Sequence, residues 1–178
     1  MKKLAIALLM ILITVTCVAC APTNSGTSSI PTVNESLVNS LSQTITIKDG
    51  DGQLLYQEKT SYIKYADEIT YSTTTKKLNV FADDTQQMYT TTNDSGNVES
   101  FSLHNFTTAD VTISTSSATK VVGTLTSAGV QSLALTNVAQ NTSVNVEFYL
   151  ENAKLVKVLV SYTSNTGNNV TIETNYGY

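Results

Sequence analysis

This chain of 178 residues has no tryptophan and no arginine, only two prolines, two cysteines and one histidine, and just 13% of it is charged. Each scarcity excludes something. Nucleic-acid recognition needs clustered cations to neutralise phosphates. Here every one of the ten basic residues is a lysine, set against 14 acidic ones, so no nucleic-acid partner is expected. Both cysteines, Cys17 and Cys20, stand near the N-terminus, which leaves nothing to staple the remaining chain with disulfides. With one histidine, His104, and no cysteine past position 20, a zinc site lacks ligands, and neither metal nor cofactor is expected. The longest apolar run, Leu4 to Val15, falls short of the ~20 residues that a bilayer-spanning helix requires.

That short run is nevertheless the most informative text in the chain. Lys2 and Lys3 precede it, and Cys17-Val18-Ala19-Cys20 follows it, so a basic start, a short apolar core and a small-residue exit describe a signal peptide. The Ala19-Cys20 exit resembles the lipobox of bacterial lipoproteins, although Cys17 stands where that motif usually carries leucine. The resemblance implies cleavage after Ala19, a diacylglyceryl group on the Cys20 thiol, and anchorage at the outer side of the cell membrane. Two acyl chains hold a protein stably at a surface where one does so only marginally. The alternative, ordinary cleavage with Cys20 left free, places an unpaired thiol in an oxidising compartment. Removal of residues 1–19 takes two lysines, leaving eight against 14 acids, a balance of −6. Such a surface does not suit polybasic docking to lipid headgroups.

Residues 21–32 are small, polar and nearly uncharged, with Pro22, Gly26 and Pro31, and cannot bury enough surface to fold. The expected organisation is therefore a signal peptide over 1–19, a lipidated Cys20 and flexible tether over 20–33, and a single β-rich domain over 34–178. Abundant Thr, Val, Ile and Tyr point to strands, and Asn with Gly to turns. Asn34 as a cap, with Leu37, Val38 and Leu41 on one face and Val33 and Val38 at staple positions, predicts a short helix at the start of the domain. Val130, Leu133, Ala134 and Val138 predict a second helix over Ser127 to Ala139. Between them, Thr44 to Ile47, Leu54 to Tyr56, Tyr62 to Tyr65, Ile69 to Tyr71, Leu78 to Phe81, Gln87 to Tyr89, Val98 to Phe106 and Val111 to Ile113 read as extended. Breaks are expected at Asp49 to Gly52, Ala66-Asp67, Thr74 to Lys77, Ala82 to Asp84 and Asn93 to Asn97.

The clearest alternation comes late. Val144, Val146, Phe148 and Leu150 alternate with Asn145, Glu147, Tyr149 and Glu151, and after a turn at Glu151 to Lys154 the chain continues with Val156, Val158, Val160 and Tyr162 on one face and Leu155 and Leu159 on the other. A further turn at Ser164 to Asn169 leads to Val170, Ile172 and Thr174. Apolar residues on both faces of these strands predict cover on each side. The fold class is α+β, mostly antiparallel β: a curved, open half-barrel sheet with one or two covering helices.

In order of elements, and in the texture of Val144 to Leu150 and Lys154 to Val158, the region 34–178 resembles the LolA/LolB and LppX/LprG types of lipoprotein. The resemblance implies an incompletely closed barrel holding acyl chains beneath its helices. Those carriers hold a helical lid with an arginine, which this chain lacks, so the resemblance extends to holding a lipid and not to handing lipoproteins on.

Catalytic readings find little support. His104 has no G-x-S-x-G serine to serve, and Asp67-Glu68 and Asp83-Asp84 sit in expected turns with few aromatics near. Asp49-Gly50-Asp51-Gly52 has the alternating acids of a calcium loop, but the twelfth position, which should be a bidentate Glu, is Thr60; a hairpin turn is the better reading. The protein is expected to be a non-enzymatic monomer with a lipid or hydrophobic small molecule as partner. From the alternation, Ile45, Ile47, Phe81, Phe101, Val146, Phe148 and Leu150 are the candidate ligand-lining residues. Two other readings stay open, a ligand-free envelope interaction module and a carbohydrate-binding surface that uses exposed tyrosines.

Overall fold

The computed structural model describes residues 29–79, 88–101 and 103–178. Among these are nine strands: β1 (Ser40–Lys48), β2 (Leu54–Tyr65), β3 (Glu68–Leu78), β4 (Tyr89–Val98), β5 (Val111–Ser116), β6 (Lys120–Leu125), β7 (Asn145–Glu151), β8 (Lys154–Thr163) and β9 (Asn169–Gly177). One short helix, α1 (Ser127–Ser132), and one 3-10 turn, Glu35–Leu37, complete the regular structure. All strands join one sheet in the order β4-β3-β2-β1-β9-β8-β7-β6-β5, every neighbour antiparallel. The sheet is open, with β4 and β5 at its two ends.

This order has one consequence that governs the molecule. The first and last strands lie side by side in the middle, paired from Ser40↔Gly177 to Lys48↔Asn169. Two strands consecutive in sequence, β4 and β5, therefore stand at opposite edges, and the segment 99–110 between them has to cross the sheet. It crosses on one face, where Phe101 and Phe106 are buried with Val146, Phe148, Val158 and Val160. Residues 30–38 pack onto the same core, and the Asn105 side-chain Oδ1 accepts a hydrogen bond from the Val33 amide at 3.0 Å. Val146, Phe148 and Val38 are completely buried, each contributing about 1.5–3 kcal/mol by leaving water.

Local chemistry explains the turns. Asp49 Oδ1 accepts from the Asp51 amide (3.0 Å) and the Gln53 amide (2.8 Å), with Gly52 at φ +87, so the Asp-Gly repeat closes a hairpin. Asn152 and Ala153 are both left-handed (φ +50 and +61), as a two-residue hairpin that matches strand twist requires.

Several expectations are corrected. The first helix is only a 3-10 turn: Asn34 caps it by accepting from the Ser36 amide, but Val38 is already extended and Leu41 belongs to β1, where pairing with β2 and β9 outweighs one more helical turn. Leu37 is consequently exposed. The second helix stops at Ser132 and not at Ala139, and its cap is Thr126, not Ser127. Leu135 N–H donates to Val130 O and Ala134 N–H to Gln131 O, with Ala134 at φ +52, a Schellman stop in which alanine occupies the place usual for glycine.

Thr74 to Lys77 and Asn93 to Asn97 are not breaks but strand interior, the first paired with Thr90 to Asn93 and the second with Thr70 to Thr74 across β3 and β4. There the Tyr71 ring covers Gly96 so closely that a Cβ would lie 2.8 Å from it. Val98 to Phe106, read as extended, leaves the sheet after Val98. Leu155 belongs to the core and not the opposite face, because a register shift at Tyr149/Leu150 makes Leu150 oppose Leu155 while Tyr149 opposes Lys157. Ile30 and Val33 are buried too, so the packed chain begins inside the stretch read as tether.

Candidate functional site

The register turns the covered face into rows that run across the sheet. One reads Val121, Phe148, Val158, Thr174, Gln43, Thr60, Thr73, Asp94 from β6 to β4. The next reads Gly123, Val146, Val160, Ile172, Ile45, Glu58, Thr75, Thr92. The first changes from apolar to polar between β8 and β9, the second between β1 and β2. On the polar side Thr60 and Thr73 hydroxyls bond at 2.9 Å, and the Tyr56 phenol donates to Glu58 at 2.6 Å, which raises its pKa.

At that boundary lies a cavity of about 190 Å³. Its floor is Gln43 and Ile45 of β1, Ile172, Thr174 and Tyr176 of β9, and Val158 and Val160 of β8; its roof is Leu103, His104 and Phe106 of the crossing segment with Leu133 at the end of α1. The roof is held from both ends. Phe106 meets Phe148 edge-on at 5.3 Å and His104 edge-on at 4.5 Å. Burial pushes the Tyr176 phenol up to about 12, the mark of a wall that disfavours charge.

The crossing segment is tied to α1 by a compact knot. Asp110 Oδ2 accepts from the Thr107 amide (2.8 Å) and hydroxyl (2.7 Å), and these bonds hold its carboxyl below the usual range. Asp110 O accepts from the Thr126 amide at 2.8 Å. The Thr126 hydroxyl donates to Ala109 O (2.6 Å) and accepts from the Gly129 amide. Gly129 is required here, since a Cβ would stand 2.3 Å from Asp110 O.

His104, Ser132 and Asp110 come together, but in an order unlike a catalytic triad. The Ser132 hydroxyl donates to Gly129 O at 2.9 Å and lies 3.4 Å from both His104 Nε2 and Asp110 Oδ1. Serine stands between imidazole and carboxylate, whereas a triad places the imidazole between the other two. The group reads as part of the knot.

Of the seven candidate lining residues, Ile45 lines this cavity. Ile47 lines a separate shallow pocket with Tyr162 and Val170, and Leu150 lines an open groove with Val121 and Ile113 along β5. Phe101, Val146 and Phe148 are closed in the core, and Phe81 lies outside the described residues, as do Asp83-Asp84 and Cys20. Val158, Val160 and Ile172 could have been found by the same alternation. Leu103, His104, Phe106 and Leu133 come from irregular segments whose placement no local pattern reveals.

The opposite face of the sheet is polar, and among the described residues it lacks the cover expected from Leu159. Lys120 pairs with Glu147 at 2.9 Å, Tyr149 donates to Glu147, and Lys120 and Lys157 both lie over the Tyr149 ring.

No family model and no curated protein matches this chain. Among solved structures, a redesigned β barrel aligns over 77% of this chain and 90% of its own, at 10% identity and a TM-score of 0.23. Among the described residues no helix is long and apolar enough to cross a membrane.

Proposed function

We propose that this protein is a lipoprotein anchored outside the cytoplasm through lipid on Cys20, and that it holds a hydrophobic ligand in the cavity between the sheet and the 103–106 segment. The observation that carries the reading is the cavity itself. It lies against Ile45, Val158, Val160 and Ile172, roofed by irregular chain that belongs to no strand ladder. On this reading the open sheet is a half-barrel of LolA or LppX type. A flat nine-stranded sheet separates its edges by ~38 Å, and the segment 99–110 makes that journey with a turn at 108–110 in it, which favours a sheet bent toward its cover. A non-enzymatic role is supported by the knotted His104-Ser132-Asp110 arrangement.

The test begins with full-length protein carrying a protease site inserted after Gly26, exported and folded in its host and then shed from membranes. Native mass spectrometry of the shed domain should show an excess mass that organic extraction removes and that proves to be an apolar compound. A clean apo mass, unchanged after incubation with host envelope lipids, would sink the ligand reading. Separately, Cys20→Ser should abolish metabolic labelling with radioactive palmitate; undiminished labelling refutes the anchor.

A further inference from the structure

We infer that the cavity takes a single-tailed amphiphile with an uncharged, hydrogen-bonding head; this rests on the hydrophobic-ligand reading above and narrows it. Size sets the tail. At about 190 Å³ the cavity is slightly larger than one of ~150 Å³ that accepts benzene, and smaller than the ~300 Å³ at which drug-sized pockets begin. One chain end or one small ring fits; two acyl chains do not.

Polarity sets the head. The apolar floor is interrupted on β1 and β9 by Gln43 and Thr174, direct cross-strand partners set between the Ile45–Ile172 pair and the buried Leu41–Tyr176 pair. Among the described residues, neither the Gln43 amide nor the Thr174 hydroxyl makes a hydrogen bond, and neither is a sealed, unsatisfied group. By contrast the next pair outward, Thr60 and Thr73, is already bonded to itself. Gln43 and Thr174 thus offer an amide donor, an amide acceptor and a hydroxyl in the floor of an otherwise apolar hole, an arrangement that fixes the polar end of a ligand.

Charge decides between kinds of head. Glu58 stands diagonal to Gln43, cross-strand from Ile45, and Asp94 ends the Gln43 row. Glu58 repels an anionic head, while Asp94, exposed and three strands or ~14 Å from Gln43, adds little through solvent. A cation is drawn by these carboxylates, which stay charged while accepting from Tyr56 and Tyr71, but it brings no lone pair for the Gln43 N–H groups and the Thr174 hydroxyl to donate to. A hydroxyl or amide head meets neither penalty.

The experiment uses the shed domain and three probes with one octyl tail, monooctanoylglycerol, octanoate and octyltrimethylammonium, followed by calorimetry below their micelle concentrations. The expected result is one site for monooctanoylglycerol, at least tenfold tighter than for either charged probe. Gln43→Leu and Thr174→Val should each reduce that preference while leaving octanoate binding unchanged, and circular dichroism will report whether each variant is folded. A charged probe within tenfold of the neutral one, or two tails per domain, overturns the inference and leaves the hydrophobic-ligand reading standing. Binding of none of the three, with the clean apo mass described above, overturns both.

Discussion

The Val33 amide donates to Asn105 Oδ1 at 3.0 Å, joining two residues 72 positions apart in segments that belong to no strand. This bond ties the chain entering the domain to the chain crossing it, between roof residues His104 and Phe106. Asn105→Ala leaves the Val33 N–H without its partner in partly buried surroundings, and is expected to cost about 1–3 kcal/mol in urea unfolding. The exposed Gln131→Ala should change stability by no more than about 0.5 kcal/mol. The Val33 amide should also exchange with solvent faster in Asn105→Ala; equal exchange in both proteins would show that the bond carries no load.

Asp110 supplies an acid-dependent term. Its folded pKa lies below the ordinary value of 3.8, chiefly because the Thr107 hydroxyl and amide donate to it, with His104 and Ser132 also facing it. The unfolded chain therefore takes up the proton first, so this stabilisation is complete above the unfolded pKa and is lost as pH falls through the folded one. Wild-type protein should lose stability as pH drops below about 4. Asp110→Asn should be less stable than wild type at pH 7, by about 1–2 kcal/mol for the weakened charge-assisted bonds, and should show a flatter acid limb. Parallel acid limbs in the two proteins would remove Asp110 as the cause.

Ala134 ends α1 in the left-handed region at φ +52. A Cβ there costs about 1 kcal/mol or more, while glycine gains freedom in the unfolded chain. Ala134→Gly is expected to raise stability by about 0.5–1 kcal/mol in thermal and urea unfolding alike. A loss of stability would mean that the helix does not stop at this residue.

Much of the fold was legible where residues alternate. Val144 to Leu150 announces which side of β7 faces inward, and Val146 and Phe148 are completely buried. The turn at Glu151 to Lys154 was equally plain, because Asn tolerates the left-handed backbone there. Elsewhere local chemistry misled. Asn93-Asp94-Ser95-Gly96-Asn97 has the composition of a turn, yet it is held extended by β3, with Thr74 donating to Asn93 and Tyr71 to Asp94. Propensity at an exposed strand is a small term that a neighbouring ladder overrides.

What depends on near neighbours is readable without the fold: the period of two that assigns faces to β7 and to β8 beyond Leu155, the hairpin residues at Asp49 to Gly52 and at Asn152, the scarcity of basic charge, and the short apolar run behind Lys2 and Lys3. Tertiary packing sets β1 beside β9, so that β4 and β5 are driven to opposite edges and residues 99–101 and 103–110 are laid across the core. It also decided that a one-residue bulge turns Leu155 inward, and that Leu103, Phe106 and Leu133 meet Ile45 and Ile172 around one cavity. Facing is a property of a strand's own backbone, repeated every second residue. Which strands meet is a competition among distant partners, settled by the closure of long loops and the burial of the whole apolar set together.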